Sequence, residues 1–447
     1  MSMIKKLPHR MMIINPCEFH ELPKKNNYKR MKRFIIVIVL FAGIFLLNSC
    51  TNQPKEQKQS FIQENIEFAA KQYALHVEAI EDSGRILNPR NFSDGNIRYI
   101  RPQDWTSGFF SGSTWYLYEL TGDEKWKNFA QRLTESLDTV QYLTWHHDVG
   151  FMIGCSYGNG LRLTENMAYE KVIVQAAKSL STRFRPNAGI IQSWNVDRGW
   201  QSERGWECPV IIDNMMNLEL LFQATEITGD SSFYQIAVSH ADKTIENHFR
   251  PDNSTWHVLD YSIEDGSIRN KHTAQGYAHE STWARGQSWA IYGFVATYRK
   301  TGDIKYLEQA EKAYHFVENH PNLPDDKIPY WDFNAPNIPD ESRDASSAAI
   351  MASALYEMFV HTNEEKYRQK ADEIVESLAS EKYRAQYGEN GYFILMHSVG
   401  SIPHGAEIDV PINYADYYFL EALKRKRDLE WKKTVNPDKT FGFHHYS

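Results

Sequence analysis

From about residue 60 onward, apolar positions recur at helical spacing in long segments separated by short polar breaks. The breaks repeat one phrase. Thr121-Gly122-Asp123 leads into Trp126, Thr228-Gly229-Asp230 into Phe233, Thr301-Gly302-Asp303 into Tyr306, and Thr362-Asn363-Glu364 into Tyr367. A weaker copy, Thr164-Glu165-Asn166, leads into Tyr169. Gly or Asn suits the stop of one helix, and the acidic residue suits the cap of the next. The aromatic residue three positions on then falls on the inner face of the new helix.

Self-similarity of this kind predicts an array of helical hairpins. A first helix near Phe61–Ile80 and a last one near Asn413–Arg427 bring the count to about twelve. The even-numbered helices begin near Gly108, Gly150, Asp213, Thr282, Asp344 and Asn413. Several are rich in small residues, as in Asp344-Ala-Ser-Ser-Ala-Ala-Ile-Met-Ala-Ser-Ala. Small side chains suit a crowded inner ring, and the more charged odd-numbered helices suit an outer layer. The expected fold is all-α: an (α/α)6 barrel of six helical hairpins over residues 60–430, with an open solenoid as the alternative. Trp256–Tyr261, a turn at Asp265-Gly266 and the segment from Ser267 read as a small β-hairpin at the rim.

The first fifty residues follow a different pattern. Lys32-Arg33 precedes an uninterrupted apolar run, Phe34 to Leu47, and then Asn48, Ser49 and Cys50. This run is short for a membrane-spanning helix, and its basic flank and small residues are the parts of a secretory signal. The Leu47-Asn48-Ser49-Cys50 ending looks like a bacterial lipobox. Residues 1–50 are therefore expected to be a leader with a lipoprotein signal peptide, Met31 its natural start and Cys50 the lipidated residue. A membrane-anchor helix is the other reading. Residues 51–59 form a polar tether and 431–447 a C-terminal tail. The expectation is an exported, lipid-anchored protein of a bacterium, in the periplasm or on the outer cell surface.

The chain of 447 residues has a formal charge of −8. Beyond Cys50 it keeps 40 basic and 55 acidic residues, so the charge becomes −15. That argues against nucleic acid as a partner. An anionic substrate would have to be held by local positive groups. The 12 Trp and 25 Tyr fit carbohydrate handling, because sugars stack their C–H faces on flat rings, and equally fit a large helical core. Cys155 and Cys208 read as small buried residues rather than a disulfide.

Chemistry-bearing residues cluster just before or at the start of each inner helix. The phrases are Gln103-Asp104-Trp105-Thr-Ser-Gly108, His146-His147-Asp148-Val-Gly150-Phe151, Ile211-Ile212-Asp213-Asn214-Met-Met-Asn217, Ser281-Thr-Trp283-Ala-Arg285-Gly-Gln287-Ser-Trp289, Trp331-Asp-Phe333 through Arg343-Asp344, and Asn413-Tyr-Ala-Asp416. In a closed barrel these starts converge on one end and line a concave site. Asp148 and Asp213 begin consecutive inner helices, whose axes would lie about 8–10 Å apart. Paired acids in an aromatic-walled pocket push their pKa values apart, which is acid–base equipment. The competing role for each is a helix N-cap, and Asp344-Ala-Ser-Ser reads most strongly as one. No Ser lies in a Gly-x-Ser-x-Gly elbow beside a His, and no His-x-x-x-His or Cys-x-x-Cys spacing or phosphate-binding Gly-rich loop occurs.

These motifs, with Gln192-Ser-Trp194, Tyr330-Trp-Asp332-Phe and Asp416-Tyr-Tyr-Phe-Leu-Glu-Ala-Leu, run in an order that resembles the unsaturated glucuronyl hydrolases of glycoside hydrolase family 88. The resemblance covers residues 60 to 427 and implies the (α/α)6 barrel independently of the repeats. It implies a hydrolase that removes the 4,5-unsaturated uronic acid from the non-reducing end of lyase-generated glycosaminoglycan oligosaccharides. Chondroitin, hyaluronan and heparin types all qualify. The reaction is acid/base-catalysed hydration of the C4=C5 enol ether, without metal or organic cofactor. By position, Asp213 is similar to the family's general acid/base and Asp148 to its essential partner. The resemblance places Trp105, His147, Trp194, Gln275, Arg285, Gln287 and Trp289 in the uronate subsite, and makes Arg343 a candidate for the carboxylate. It assigns the second sugar to the loop His397–His404, with Ser398 and Ser401. One departure is Thr273-Ala274-Gln275-Gly276, where the family often has His in place of Ala274; His272 or His279 would substitute. The alternatives are an unsaturated rhamnogalacturonyl hydrolase and a non-catalytic surface sugar-binding lipoprotein.

Overall fold

The structure, a computed structural model, describes residues 60–435. The expected leader, Cys50, the tether and the end of the tail lie outside the described residues. In chain order, α1 (Phe61–Asp82) precedes a hairpin of β1 (Asn88–Ser93) and β2 (Asn96–Ile100), then α2 (Ser107–Thr121) and α3 (Glu124–Glu135). Next, α4 (Val149–Ile153) runs through a π turn (Gly154–Gly158) into α5 (Asn159–Thr164), followed by α6 (Met167–Ser181). The strands β3 (Phe184–Arg185) and β4 (Ile190–Ile191), the short α7 (Gly199–Ser202) and β5 (Cys208–Ile211) lead to a 3-10 turn (Ile212–Asn217). Then come α8 (Leu218–Thr228), α9 (Ser231–Asn247), β6 (Val258–Tyr261), β7 (Ile268–His272), α10 (Ala284–Thr301) and α11 (Ile304–Glu318). The chain finishes with α12 (Ala345–Thr362), α13 (Glu365–Leu378), β8 (Ser398–Ser401), β9 (Ala406–Val410) and α14 (Asn413–Val435).

The inner layer is α2, α4–α5, α8, α10, α12 and α14; α1, α3, α6, α9, α11 and α13 lie outside. Each inner helix packs on the next, and α14 packs on α2, which closes the ring as an (α/α)6 barrel rather than an open solenoid. The layers differ in burial as their sequences require. Every residue of α12 from Ala345 to Phe359 is buried, whereas α3 buries only Trp126, Phe129, Ala130, Leu133 and Thr134.

The repeated phrase works as expected at three junctions. Gly122, Gly229 and Gly302 take left-handed backbone angles, and Asp123, Asp230 and Asp303 accept a bond from the N–H two residues on. The other two junctions vary the scheme. Glu364 makes no capping bond with its side chain; Asp, one methylene shorter, reaches back to the helix, and Glu does not. At the weak copy the order is reversed: Glu165 is left-handed and Asn166 caps. All five aromatic residues, Trp126, Tyr169, Phe233, Tyr306 and Tyr367, are buried.

The rim is richer in strands than the sequence indicated. The expected hairpin is β6–β7, but its first strand begins at Val258, and β5 joins it in a three-stranded antiparallel sheet. The hairpins β1–β2 and β8–β9 precede α2 and α14. The last helix continues to Val435, past the expected boundary at 430. Cys155 and Cys208 are buried free thiols. No described helix is long and apolar enough to cross a membrane.

Closing six inner helices requires backbones to touch. A Cβ on Gly108 would stand 2.3 Å from the Met152 carbonyl oxygen on α4. Gly108→Ala is therefore expected to destabilise the fold by about 1–3 kcal/mol, read as a lower denaturation midpoint.

Candidate active site

The strands and loops before the inner helices enclose a cavity of about 300 Å³. Its walls include Trp105, Asp148, Trp194, Asp213, Gln275, Arg285 and Ser401. Seven of the residues expected at the site are thus brought together, from segments nearly 300 positions apart. Trp105, Asp148, Asp213 and Arg285 arrive with the turns that open inner helices, whereas Trp194, Gln275 and Ser401 come from the strands and loops of the rim.

Asp148 stands at the N-cap position of α4 and Asp213 inside the 3-10 turn, but neither carboxylate serves as a cap. Neither side chain bonds the first turn of its helix, whereas Asp344 caps α12 by accepting the Ser346 N–H. Their approach depends on Gly150, where a Cβ would stand 2.5 Å from the Cα of Asn217. Across this contact Asn217 Nδ2 donates to Asp148 Oδ1 at 3.1 Å, and the Phe151 N–H donates to Asn217 Oδ1 at 3.0 Å. Asp148 is thereby held, with its N–H bonded to His146 Nδ1 at 3.1 Å. Its other oxygen lies 3.3 Å from His147 Nε2.

Both carboxyls are only 6–7% exposed, and burial raises both pKa values. Asp148 is raised well above the usual range by desolvation and then by the negative charge of Asp213. Asp213 is pushed up to about 7 by desolvation, partly offset by the Arg285 guanidinium. Its Oδ2 has no hydrogen-bond partner in the protein and lies 3.8 Å from His257 Nε2. The His257 ring is neutral, because burial and then the Arg285 charge hold its pKa well below the ordinary value. The amide N–H groups of Ala274 and Gln275 donate to its Nδ1 at 3.0 and 3.2 Å, so the ring proton sits on Nε2, towards Asp213.

Arg285 is 1% exposed and is fixed from behind. It pairs with Asp344 at 3.2 Å and donates to the carbonyl oxygens of Val399 and Gly400. Gln275 Nε2 donates to the same Gly400 carbonyl at 3.2 Å, which ties the β8–β9 hairpin to the wall.

Five expected residues do not line this cavity. His147 is fully buried behind Asp148, and it is the preceding His146 that faces the space. Gln287 is consumed by the scaffold: it accepts from the Thr255 N–H and donates to the carbonyls of Asn253 and Ala313. Trp289 is fully buried between Phe151 and Tyr418. Arg343 pairs with Asp326 at 2.8 Å and covers Tyr330. Ser398 is buried on β8. Being on the right helix start is not enough, because successive residues of a turn point in different directions.

Neither His272 nor His279 replaces the missing family histidine. They stack on each other, with centroids 4.3 Å apart, and each accepts an N–H: His272 from Trp206, His279 from Thr273. Ala274 itself lines the cavity, and His404, from the β8–β9 turn, brings an imidazole there. Arg90, Trp200, Glu407 and Tyr414 also line it without having been expected. Arg90 lies in no motif; it is held by Asp104 and Glu407 at 2.8 and 2.6 Å. His257 lay inside the expected hairpin, and no spacing marked it.

The chain matches the family model for glycosyl hydrolase family 88 over residues 89–419. It is 44% identical over 409 residues to an unsaturated glucuronyl hydrolase of Formosa agariphila, covering 89% of this chain and 99% of that one. A solved structure of an unsaturated glucuronyl hydrolase specific for heparin superposes with a TM-score of 0.79 at 42% identity, covering 83% of this chain and 98% of that one. A mutant unsaturated glucuronyl hydrolase of Streptococcus agalactiae, solved in complex with dGlcA-GalNAc6S, has a TM-score of 0.67 at 29% identity, covering 82% and 91%. On the match of the family model and the likeness of the whole barrel, this chain belongs to glycosyl hydrolase family 88 and is a glycoside hydrolase.

Proposed function

We propose that the chain removes the 4,5-unsaturated uronic acid from the non-reducing end of glycosaminoglycan oligosaccharides by hydrating its C4=C5 double bond. The observation that carries this reading is Asp213: a buried carboxyl, poised near neutral pH, in the wall of a cavity lined by aromatic rings, with one oxygen that has no hydrogen-bond partner in the protein. In this reading Asp213 gives its proton to C4. The carboxylate so formed takes a proton from water as the water oxygen bonds to C5. The resulting hemiketal opens and expels the remaining saccharide. Asp148, oriented by Asn217, fixes the substrate, and burial with the charge of Asp213 beside it favours its protonated form. Trp105 and Trp194 offer faces for the sugar, and Arg285 and Gln275 offer donors. No step needs a metal.

The relatives support glycosaminoglycan fragments as the substrate class, since one is specific for heparin and another was crystallised with dGlcA-GalNAc6S. They are unsaturated glucuronyl hydrolases, which favours this reading over the rhamnogalacturonyl one, and a family of hydrolases disfavours mere sugar binding.

The first test follows the ultraviolet absorbance of the double bond of an unsaturated chondroitin or heparin disaccharide. The wild type should abolish it. Asp213→Asn, which cannot exchange a proton, should be slower by about 10²–10⁴-fold with an unchanged circular dichroism spectrum. Persistence of the absorbance in the wild type on every such substrate would overturn the reading. A pH profile gives a second check. The acid must start protonated, and that form is lost as pH rises through about 7, so kcat should fall on the alkaline side and Asp213→Asn should lack this limb.

We also propose export and lipid anchoring through Cys50, supported by the basic, apolar and small-residue pattern of Lys32 to Cys50. Cys50→Ala should shift the protein out of the membrane fraction of expressing bacterial cells; an unchanged distribution would refute the anchor.

A further inference from the structure

The cavity of about 300 Å³ has room for the terminal sugar, but the rest of an oligosaccharide must leave through the mouth. Trp200, Ser401 and His404 belong to the wall, and Ser401 Oγ lies 2.7 Å from His404 Nδ1. Trp200 starts from the segment between β4 and β5, where three indoles meet. Trp194 stacks on Trp206 with centroids 5.8 Å apart, and Trp200 packs edge-on to both at 5.1 and 5.8 Å. His404 lies 5.0 Å from the Trp200 ring, and the Trp206 indole N–H is bonded to His272. The cluster is therefore a fixed platform.

Arg204 is laid on this platform. Its guanidinium carbon is 5.5 Å from the Trp200 ring and 5.4 Å from the Trp206 ring. Arg204 is exposed and forms no ion pair among the described residues. The two arginines inside the cavity differ from it, because carboxylates already offset them: Asp104 and Glu407 for Arg90, Asp344 for Arg285. The positive field of Arg204 reaches inward. After burial itself, its charge is the next cause that lowers the pKa of His404, and it contributes to the lowering at His257. In a chain whose charge beyond Cys50 is −15, an uncompensated cation beside the Trp200 wall of an anion-processing cavity is placed to draw in negative charge.

We propose that Arg204, positioned by Trp200 and Trp206, is a specificity residue that binds an anionic group, sulfate or carboxylate, on the saccharide that leaves. This rests on the hydrolase reading above. A guanidinium held against indoles, which take none of its N–H groups, can donate to two oxygens at once, which sulfate and carboxylate both offer. Lysine at this position would keep the charge and lose the fork.

The test compares kcat/KM of the wild type, Arg204→Gln and Arg204→Lys on three unsaturated substrates. One has a neutral second sugar, one has a sulfated second sugar, and one is an unsulfated tetrasaccharide whose third sugar is a uronate. Arg204→Gln should lower kcat/KM for an anionic substrate about tenfold more than for the neutral one, through KM. Arg204→Lys should recover part of the loss. A selective loss on the sulfated disaccharide identifies sulfate as the group bound; a selective loss on the tetrasaccharide identifies the carboxylate. Equal losses on all three substrates would mean that Arg204 only supports the platform, and no loss on any would mean a solvated side chain; either overturns the proposal while the hydrolase reading stands. Inactivity of the wild type on all three would overturn both.

Discussion

A ring of six helices encloses a useful site only if the helix backbones can come nearly into contact at one end. Here that contact is supplied at positions without a side chain. Gly108 lets α2 settle on the backbone of α4, and Gly150 lets α4 settle on Asn217 at the turn before α8. The second contact matters most, because Asp148 stands two residues before Gly150 and Asp213 four residues before Asn217. Widening the gap by a methyl group would move the two carboxyls apart and break the bond that orients Asp148. The strand additions at the rim, the aromatic walls and the electrostatics of the cavity are all arranged around this approach.

Burial is what gives the carboxyls their chemistry, yet burial alone does not identify a catalytic acid. Asp416 is also pushed up to about 7 by desolvation. Its oxygens accept the N–H groups of Ile394 and Leu395 and the Tyr73 hydroxyl, and it is fully enclosed. That carboxyl anchors the segment leading to β8. Asp332 plays a similar part, accepting from Ser281 and from the N–H groups of Tyr277 and Asn334, and so fixing the loop after Gln275. Asp213 differs in a simple way: it lines the cavity, and one of its oxygens is left without a protein partner. Of Asp213, Asp332 and Asp416, only Asp213 lies in the cavity wall, where a substrate could reach its proton.

The motif residues therefore divide into two groups that look alike along the chain. One group meets the cavity: Trp105, Asp148, Trp194, Asp213, Gln275, Arg285 and Ser401. The other holds it in shape: Asp344 behind Arg285, Asp104 behind Arg90, Gln287 under the segment that carries His257, and Trp289 in the core. The two groups are neighbours in the chain as well as in space, because the parts that orient a functional side chain have to be close to it.

The architecture was legible in the sequence, because it rests on local and repeated physics. A left-handed residue followed by a cap, a buried aromatic residue three positions later, and small-residue helices alternating with charged ones are all set within a few residues of chain. Convergence of the site then follows from closure alone, so Asp148 and Asp213 could be picked out before any coordinates. Tertiary structure decided everything that depends on direction. It turned His146 rather than His147 to the cavity, sent Arg343 to Asp326, and aimed the proton of His257 at Asp213 through two backbone amides from another loop. It also brought Arg90 and Trp200 to the site from segments with no motif. The physical reason is that a helix period assigns a residue to a layer, whereas which atom meets the cavity depends on neighbours that are distant in the chain.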